Sequence, residues 1–419
     1  MTRRVRIAAG AVLALKLFLI FAWGDRTPIF DEAGYLKTAA AVAAWLGGGD
    51  GTPAVLGRIA WHNPGYAGLV TAFGVLGDTT GLCVRIVQAL AGVHTGWCVH
   101  TLLARRVAPS GALLGAMVVW LHPSMLFFGL ALWPVALVTW GLAVATLAAD
   151  DFVRSPDSRR RATALGWAIA PIPFFAPQAL LLLPLVSGLV LRVRRRLLHL
   201  VLGPLAALWI PWALAASMAL ELPTPMDFAG RETLAIGNNP WVPPGRGSSF
   251  NDRDSLGLLR GHAGDICGDG HDAERVRCDA RVYGALARRT ALKDPVAAAA
   301  RALIRVGEAW GTDTFLPRHL RDPRAFPTVP LGVGAVDGGL VFLHGALLIA
   351  TLGALVNPRR RRDVAMFLVA AALWTAGIAL TIGATRLRQP VLVWIVVASI
   401  TSLYPSRLRF RSSHGDISG

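Results

Sequence analysis

Residues 3–35 read RRVRIAAGAVLALKLFLIFAWGDRTPIFDEAGY. The segment 5–23 within it has the length a bilayer crossing takes, about 20 mostly apolar residues. Arg3, Arg4 and Arg6 stand at its start. Cationic flanks stay on the cytoplasmic side of a span, so the chain should emerge on the opposite side just before Asp31 and Glu32. No small-residue cleavage site followed by a soluble mature region accompanies the segment, which therefore reads as a retained helix and not a removed signal peptide.

The remaining composition agrees with that reading. Of the 419 residues, 54% are hydrophobic and the mean hydropathy is +0.51, so the apolar runs exceed what a soluble core needs. The expected class is an all-α polytopic membrane protein. A net charge of +17 would suggest nucleic acid in a soluble protein, but here the arginines fall in short clusters between apolar runs, which is a topology signal. No nucleic-acid partner is expected. Taking Arg3–Arg6, Arg105–Arg106, Arg154 with Arg159–Arg161, Arg192–Arg196, Arg359–Arg362 and Arg407–Arg411 as cytoplasmic gives about ten spans. They lie near 5–23, 81–104, 110–123, 131–149, 162–175, 176–192, 197–218, 331–356, 364–383 and 388–405, with both termini cytoplasmic. The run 162–192 is short for two crossings and carries Pro171, Pro173 and Pro177, so broken or re-entrant helices are expected there.

The organisation that follows is a first span (1–23), an outer loop with interfacial helices (24–80), spans two to seven (81–219), a polar outer cap (220–330), spans eight to ten (331–405) and a cytoplasmic tail (406–419). Cys83 and Cys98 sit in an apolar segment, whereas Cys267 and Cys278 flank the polar loop CGDGHDAERVRC. An oxidising outer compartment would let the second pair close a disulfide. Asp265, Asp269, His271 and Asp272 lack the spacing of a calcium loop or a zinc site and read as a solvated loop.

Several short motifs resemble, in order, those of the C-type polytopic membrane glycosyltransferases, the group that includes protein O-mannosyltransferases and lipid A aminoarabinose transferases. Asp31-Glu32-Ala33-Gly34-Tyr35 resembles the acidic-acidic-x-x-Tyr motif of their first outer loop, and His62-Asn63-Pro64-Gly65-Tyr66 their basic-Pro-Pro-x-Tyr stretch. Arg85 to Arg106 is similar to their second span with its paired arginines, and Pro177 to Pro184 to an "RPQALLLLP" run. Ile236-Gly237-Asn238-Asn239-Pro240 is similar to "IGNNP", and Arg386-Leu387-Arg388-Gln389-Pro390 to the "RYRLP" before the last span. Where many members have Ser-Glu-Pro, this chain has Leu132-Trp133-Pro134. Ala176 replaces the usual Arg before Pro177, and Asn63 replaces a Pro.

The resemblance implies transfer of a sugar from a polyprenyl-phosphate donor to an acceptor at the outer face of a bacterial inner membrane. The donor, membrane lipid and an unidentified acceptor would be the partners. No cofactor is called for, although loose dependence on a divalent metal occurs in the group. Such a transfer needs a base for the incoming hydroxyl and cations for the leaving phosphate. Asp31 is the expected base, with Glu32 orienting the acceptor or tuning it. Arg386 and Arg388 would bind the phosphate through guanidinium forks, with His62 as a second contact and Tyr35, Tyr66, Asn238 and Asn239 completing the substrate site. Blander readings stand beside these. Asp31 and Glu32 suit the N-terminus of a helix, Arg386 and Arg388 could anchor at the headgroups, and Asn238 and Asn239 could form the turn before Pro240. A transporter or flippase-like binder of a lipid-linked sugar, or a scaffold, is the rival class.

Overall fold

In the computed structural model of the chain, residues 3–404 are described except for 24–27, 29–30, 49–58, 60–61, 224–228, 250–251, 269–272, 312–332, 357 and 382–384. Among the described residues there is no strand. Helices α1 (Arg3–Trp23), α2 (Asp31–Leu46), α3 (Pro64–Gly74), α4 (Thr80–Ala104), α5 (Pro109–Leu121), α6 (Pro123–Leu130) and α7 (Val135–Arg154) make the first half. After them come α8 (Arg159–Ile169), α9 (Ile172–Phe175), a 3-10 stretch Pro177–Leu182, α10 (Leu183–Arg194) and α11 (Leu198–Leu220).

Helix α1 runs antiparallel to α4. Near its start Val5 and Val12 pack with Ala116 and Trp120, and near its end Ile20 packs with Ala89 and Leu130. Gly96 permits the closest approach in this layer: a Cβ there would fall inside the Trp120 indole, whose Nε1 donates to the Val93 carbonyl at 2.8 Å. Small residues at helix crossings do this in membrane bundles generally. Helices α4 and α7 end side by side. Arg105 reaches Asp150 at 2.5 Å and Asp151 at 2.8 Å, Arg106 reaches Asp150 at 2.5 Å, and Arg154 closes on Asp150 at 2.9 Å. Two of the expected arginine clusters thus share one end of the bundle, called here the Asp150 end. The start of α2 lies at the other, the Asp31 end.

Among the described residues four helices are long and apolar enough to cross a membrane: Arg3–Trp23, Gly77–Ala104, Val135–Arg154 and the composite Pro177–Met218. A fifth results if α5 and α6, bent by 47° at His122, form one broken span. Over its described residues the chain is therefore all-helical, with four or five helices capable of crossing a membrane. Proline interrupts 162–192, where the chain breaks into an 11-residue helix, a 4-residue helix and a 3-10 stretch. Later, α16 (Val333–Val356), α17 (Pro358–Leu380) and α18 (Leu392–Leu403) carry shorter apolar cores, Phe342–Gly353, Val364–Leu380 and Leu387–Leu403. They pack around Trp374 and Trp394, joined by polar contacts from Trp394 Nε1 to Thr146 Oγ1 (2.9 Å) and from Ser399 Oγ to the Leu347 carbonyl (2.7 Å).

Between the halves lie α12 (Ala229–Gly237), α13 (Arg253–Cys267), α14 (Ala273–Lys293) and α15 (Pro295–Trp310), the first three sharing a small apolar cluster of Ile236, Leu259, Ala263 and Tyr283. A disulfide joins Cys267 to Cys278, with Cα atoms 5.7 Å apart. Two buried arginines strap this layer to the later helices. Arg305, 2% exposed, donates to the carbonyls of Gly237 (2.6 Å), Gly247 (2.8 Å) and Ala379 (2.7 Å). Burial and the neighbouring Arg301 pull its guanidinium down to about 10, so it stays charged at neutral pH. Arg388 donates to the carbonyls of Ala309 (3.1 Å) and Gly311 (2.5 Å) at the end of α15, where a cation also complements the helix dipole.

Candidate functional site

Helix α2 begins at the acidic pair, and acidic groups in a first turn favour the helix. Successive residues of a helix point about 100° apart, so the two carboxylates serve different compartments. Asp31 is exposed, whereas Glu32 is fully buried. Glu32 Oε1 accepts the Leu132 backbone N–H at 2.6 Å, across 100 residues of sequence. That contact falls in the Leu132-Trp133-Pro134 segment, the place where the resembling family carries its other acid. Here Trp133 is buried against Phe127 and Phe128 at 5.9 and 5.8 Å between ring centroids, so the segment contributes a backbone donor and an apolar wall in place of a carboxylate.

Tyr35, one turn after Asp31, stacks on the His62 ring at 4.7 Å and meets Tyr66 edge-on at 4.6 Å. Gly34 gives His62 its room, since a Cβ at that position would lie 3.1 Å from His62 Cε1. The buried Tyr66 hydroxyl donates to Gln88 Oε1 at 2.7 Å, and Gln88 Nε2 donates to the carbonyls of Phe128 (3.1 Å) and Ala131 (2.8 Å). Arg85 Nε donates to the Leu130 carbonyl at 2.8 Å. The Tyr66 hydroxyl lies within electrostatic reach of Tyr35, Glu32 and Arg85. The structure therefore brings Asp31, Glu32, Tyr35, His62 and Tyr66 together, and adds Arg85, Gln88 and the Leu132 N–H. Gln88 and Arg85 read as a span from sequence, and their task appears only when 128–132 folds over them.

A further carboxylate approaches from α12. Glu232 pairs with Arg260 at 3.1 Å. Burial holds its carboxyl above the usual range, against the pull of Arg260, and the nearby charges of Asp31 and Asp279 add to the rise. Asn238 and Asn239 are instead built into the loop after α12. Asn238 Nδ2 donates to the Leu234 carbonyl (3.1 Å). Asn239 Nδ2 donates to the carbonyls of Ala235 (2.8 Å) and Ile236 (3.2 Å) and to Ser249 Oγ (3.0 Å), and its Oδ1 accepts the Trp241 N–H (2.9 Å). Arg388 is 3% exposed and engaged with the α15 terminus, while the Arg386 side chain lies outside the described residues, as do Asp269, His271 and Asp272. Among the described residues no group of three or more His, Cys, Asp or Glu could hold a metal ion. No known protein family, curated protein or solved structure matches the chain.

Proposed function

We propose that this chain is an integral membrane glycosyltransferase that moves a sugar from a polyprenyl-phosphate donor to an acceptor hydroxyl at the Asp31 end, facing the exterior of a bacterial inner membrane. On this reading the topology has ten spans with both termini cytoplasmic, and α12–α15 form an outer cap. The observation that carries the reading is the division of labour in α2: an exposed Asp31 beside the Tyr35–His62–Tyr66 rings, and a buried Glu32 fixed to Leu132.

Asp31 takes the proton of the acceptor hydroxyl, the oxygen attacks the anomeric carbon with inversion, and the bond from that carbon to the phosphate oxygen breaks, leaving its electron pair on polyprenyl phosphate. Glu32 holds the α2 N-terminus against 128–132 and so positions Asp31. Arg386 and His62 are the cations proposed for the leaving phosphate, the buried Tyr35 and Tyr66 back the His62 ring, and Arg388, Asn238 and Asn239 brace the layer of α12–α15. The test is transfer of radiolabelled sugar from a panel of polyprenyl-phosphate sugars in membranes holding wild type or Asp31→Asn. Labelling that collapses in the variant at equal expression supports the reading. Persistent labelling moves the base elsewhere, and absence of labelling with every donor favours a binder or flippase.

A further inference from the structure

Helix α15 carries its amphipathic pattern inverted. Its charged residues lie on the side that meets the protein. Arg305 makes its three backbone bonds there, Glu308 Oε1 accepts the Gly247 N–H at 3.2 Å, and Arg301 buries its Nε and Nη2. The opposite side carries Val296, Ala299, Ala300, Leu303 and Gly307, spaced as one face of a helix. Val296 is 78% exposed and Leu303 74%, and a Cβ at Gly307 would meet no described atom within 4 Å. All of α15 is described, and this side of it holds no charged group. A helix on the surface of a soluble domain shows the reverse, with its charges outward and its apolar stripe on the core.

The bonds of α15 fix its level in the molecule. The Arg106 guanidinium stands 5.5 Å from the Phe367 ring centroid, so α17 begins at the Asp150 end. Ala379 lies roughly 18 Å further along α17 at the helical rise, towards the Asp31 end. The bond from Arg305 to Ala379 therefore holds α15 where the apolar core Val364–Leu380 stops. At its start, Asp294 Oδ1 accepts the Ala297 N–H at 2.8 Å and turns a corner with α14. Arg288, Arg289 and Lys293 are exposed at that corner, as is Leu292. A bare apolar face at the level where apolar helices end, with cations at one corner, matches the boundary between lipid headgroups and acyl chains. Helix faces bed there roughly 5–10 Å deep, and cations meet anionic phosphates. We propose that α15 lies in the bilayer leaflet on the Asp31 side, its Val296–Leu303 face among the acyl chains and Arg288, Arg289 and Lys293 against anionic headgroups. The inference goes beyond the transferase reading, because it needs a bilayer and no chemistry.

The experiment places a nitrobenzoxadiazole dye on Val296→Cys or Leu303→Cys of the full chain, reconstituted in nanodiscs of phosphatidylcholine and phosphatidylglycerol. Half-buried Cys83 is replaced by alanine, buried Cys98 is left in place, and the Cys83→Ala protein without an added cysteine gives the labelling blank. Phosphatidylcholine bearing a nitroxide on its acyl chain should at least halve the emission of both labels. Iodide in the water should quench them at least threefold less than the same dye on glutathione. Replacing Arg288, Arg289 and Lys293 together by Gln should raise iodide quenching of the Val296 label at least twofold, and an unchanged value overturns the headgroup contact. Labels that iodide quenches like the glutathione dye put the face in water, and labels shielded from both quenchers put it against protein, whether a second copy or another segment. Either result overturns the proposal. If a variant fails to fold, wild type decides by photolabelling with a diazirine phospholipid: adducts on Val296–Leu303 in peptide mass spectra support the site, and their absence overturns it.

Discussion

The two ends of the helical bundle treat charge in opposite ways. At the Asp150 end one aspartate receives Arg105, Arg106 and Arg154, and Arg161 adds a bond to the Asp151 carbonyl at 3.0 Å. Charges there neutralise one another. At the Asp31 end the two adjacent carboxylates are turned apart: Asp31 is exposed, Glu32 accepts a backbone N–H, and the rings of Tyr35, His62 and Tyr66 pack together nearby. A closed ion network fixes helices in place, whereas on the proposed reading the exposed Asp31 takes the proton of a bound hydroxyl. On that reading stability belongs to one end and chemistry to the other.

Four measurements can break or sharpen that contrast. The largest effect should come from Asp31→Asn, with transfer activity falling about 10²–10⁴-fold, the span general-base catalysis supplies, and the melting temperature unchanged. Asp150→Ala should do the reverse. It leaves three guanidinium groups together without their shared acceptor, and the loss of charge-assisted hydrogen bonds should cost about 2–3 kcal/mol, read as a lower melting temperature with any retained activity per folded molecule intact. An Asp150→Ala protein that melts like wild type would mean the network only decorates that end.

Glu32 tests whether the buried member of the acidic pair is structural. Glu32→Ala orphans the buried Leu132 N–H, which should cost about 1–3 kcal/mol, while Glu32→Gln keeps an acceptor oxygen and should restore most of that stability. Equal damage from both would show that the charge itself is required. The smallest effect should be seen at Glu232. Its carboxyl is held above the ordinary value of about 4.3 by burial, so the folded state prefers the protonated form. Stability should therefore decline as pH rises from that ordinary value through the raised one. Glu232→Gln should flatten this slope in melting curves taken across pH 4–8, and a slope unchanged in the variant would place the titration elsewhere.

How much of this was legible in the sequence varies with range. Helices α1, α4 and α7 follow from apolar length and arginine flanks alone, because a span satisfies its own backbone. The proline-broken 162–192 stretch was legible as an interruption, since Pro171, Pro173 and Pro177 each remove a donor. The packing of α16, α17 and α18 around Trp374 and Trp394 was not, because it joins side chains from helices distant in sequence. At the site, Asp31, Tyr35, His62 and Tyr66 lie in two local motifs and could be picked out. The tie from Glu32 to Leu132, and the bonds of Arg85 and Gln88 to 128–131, join segments about 40 to 100 residues apart, and no local pattern announces them. Arg388 teaches the opposite lesson. A cation conspicuous against the charge rule turned out to be engaged with the carbonyls of Ala309 and Gly311.

The bond between Glu32 and Leu132 also sets an order of assembly. Chains are made at about 5–20 residues per second, so on the order of 5–20 s separates the synthesis of the carboxylate from that of its 100-residue-distant donor. During that interval Glu32 lacks the donor that holds it in the folded chain. Only when the bent pair α5–α6 has formed and 128–132 has folded back can α2 settle. Truncation of the nascent chain before residue 132 should thus leave the acidic pair accessible to modification, and extension beyond it should close one carboxylate while leaving the other open.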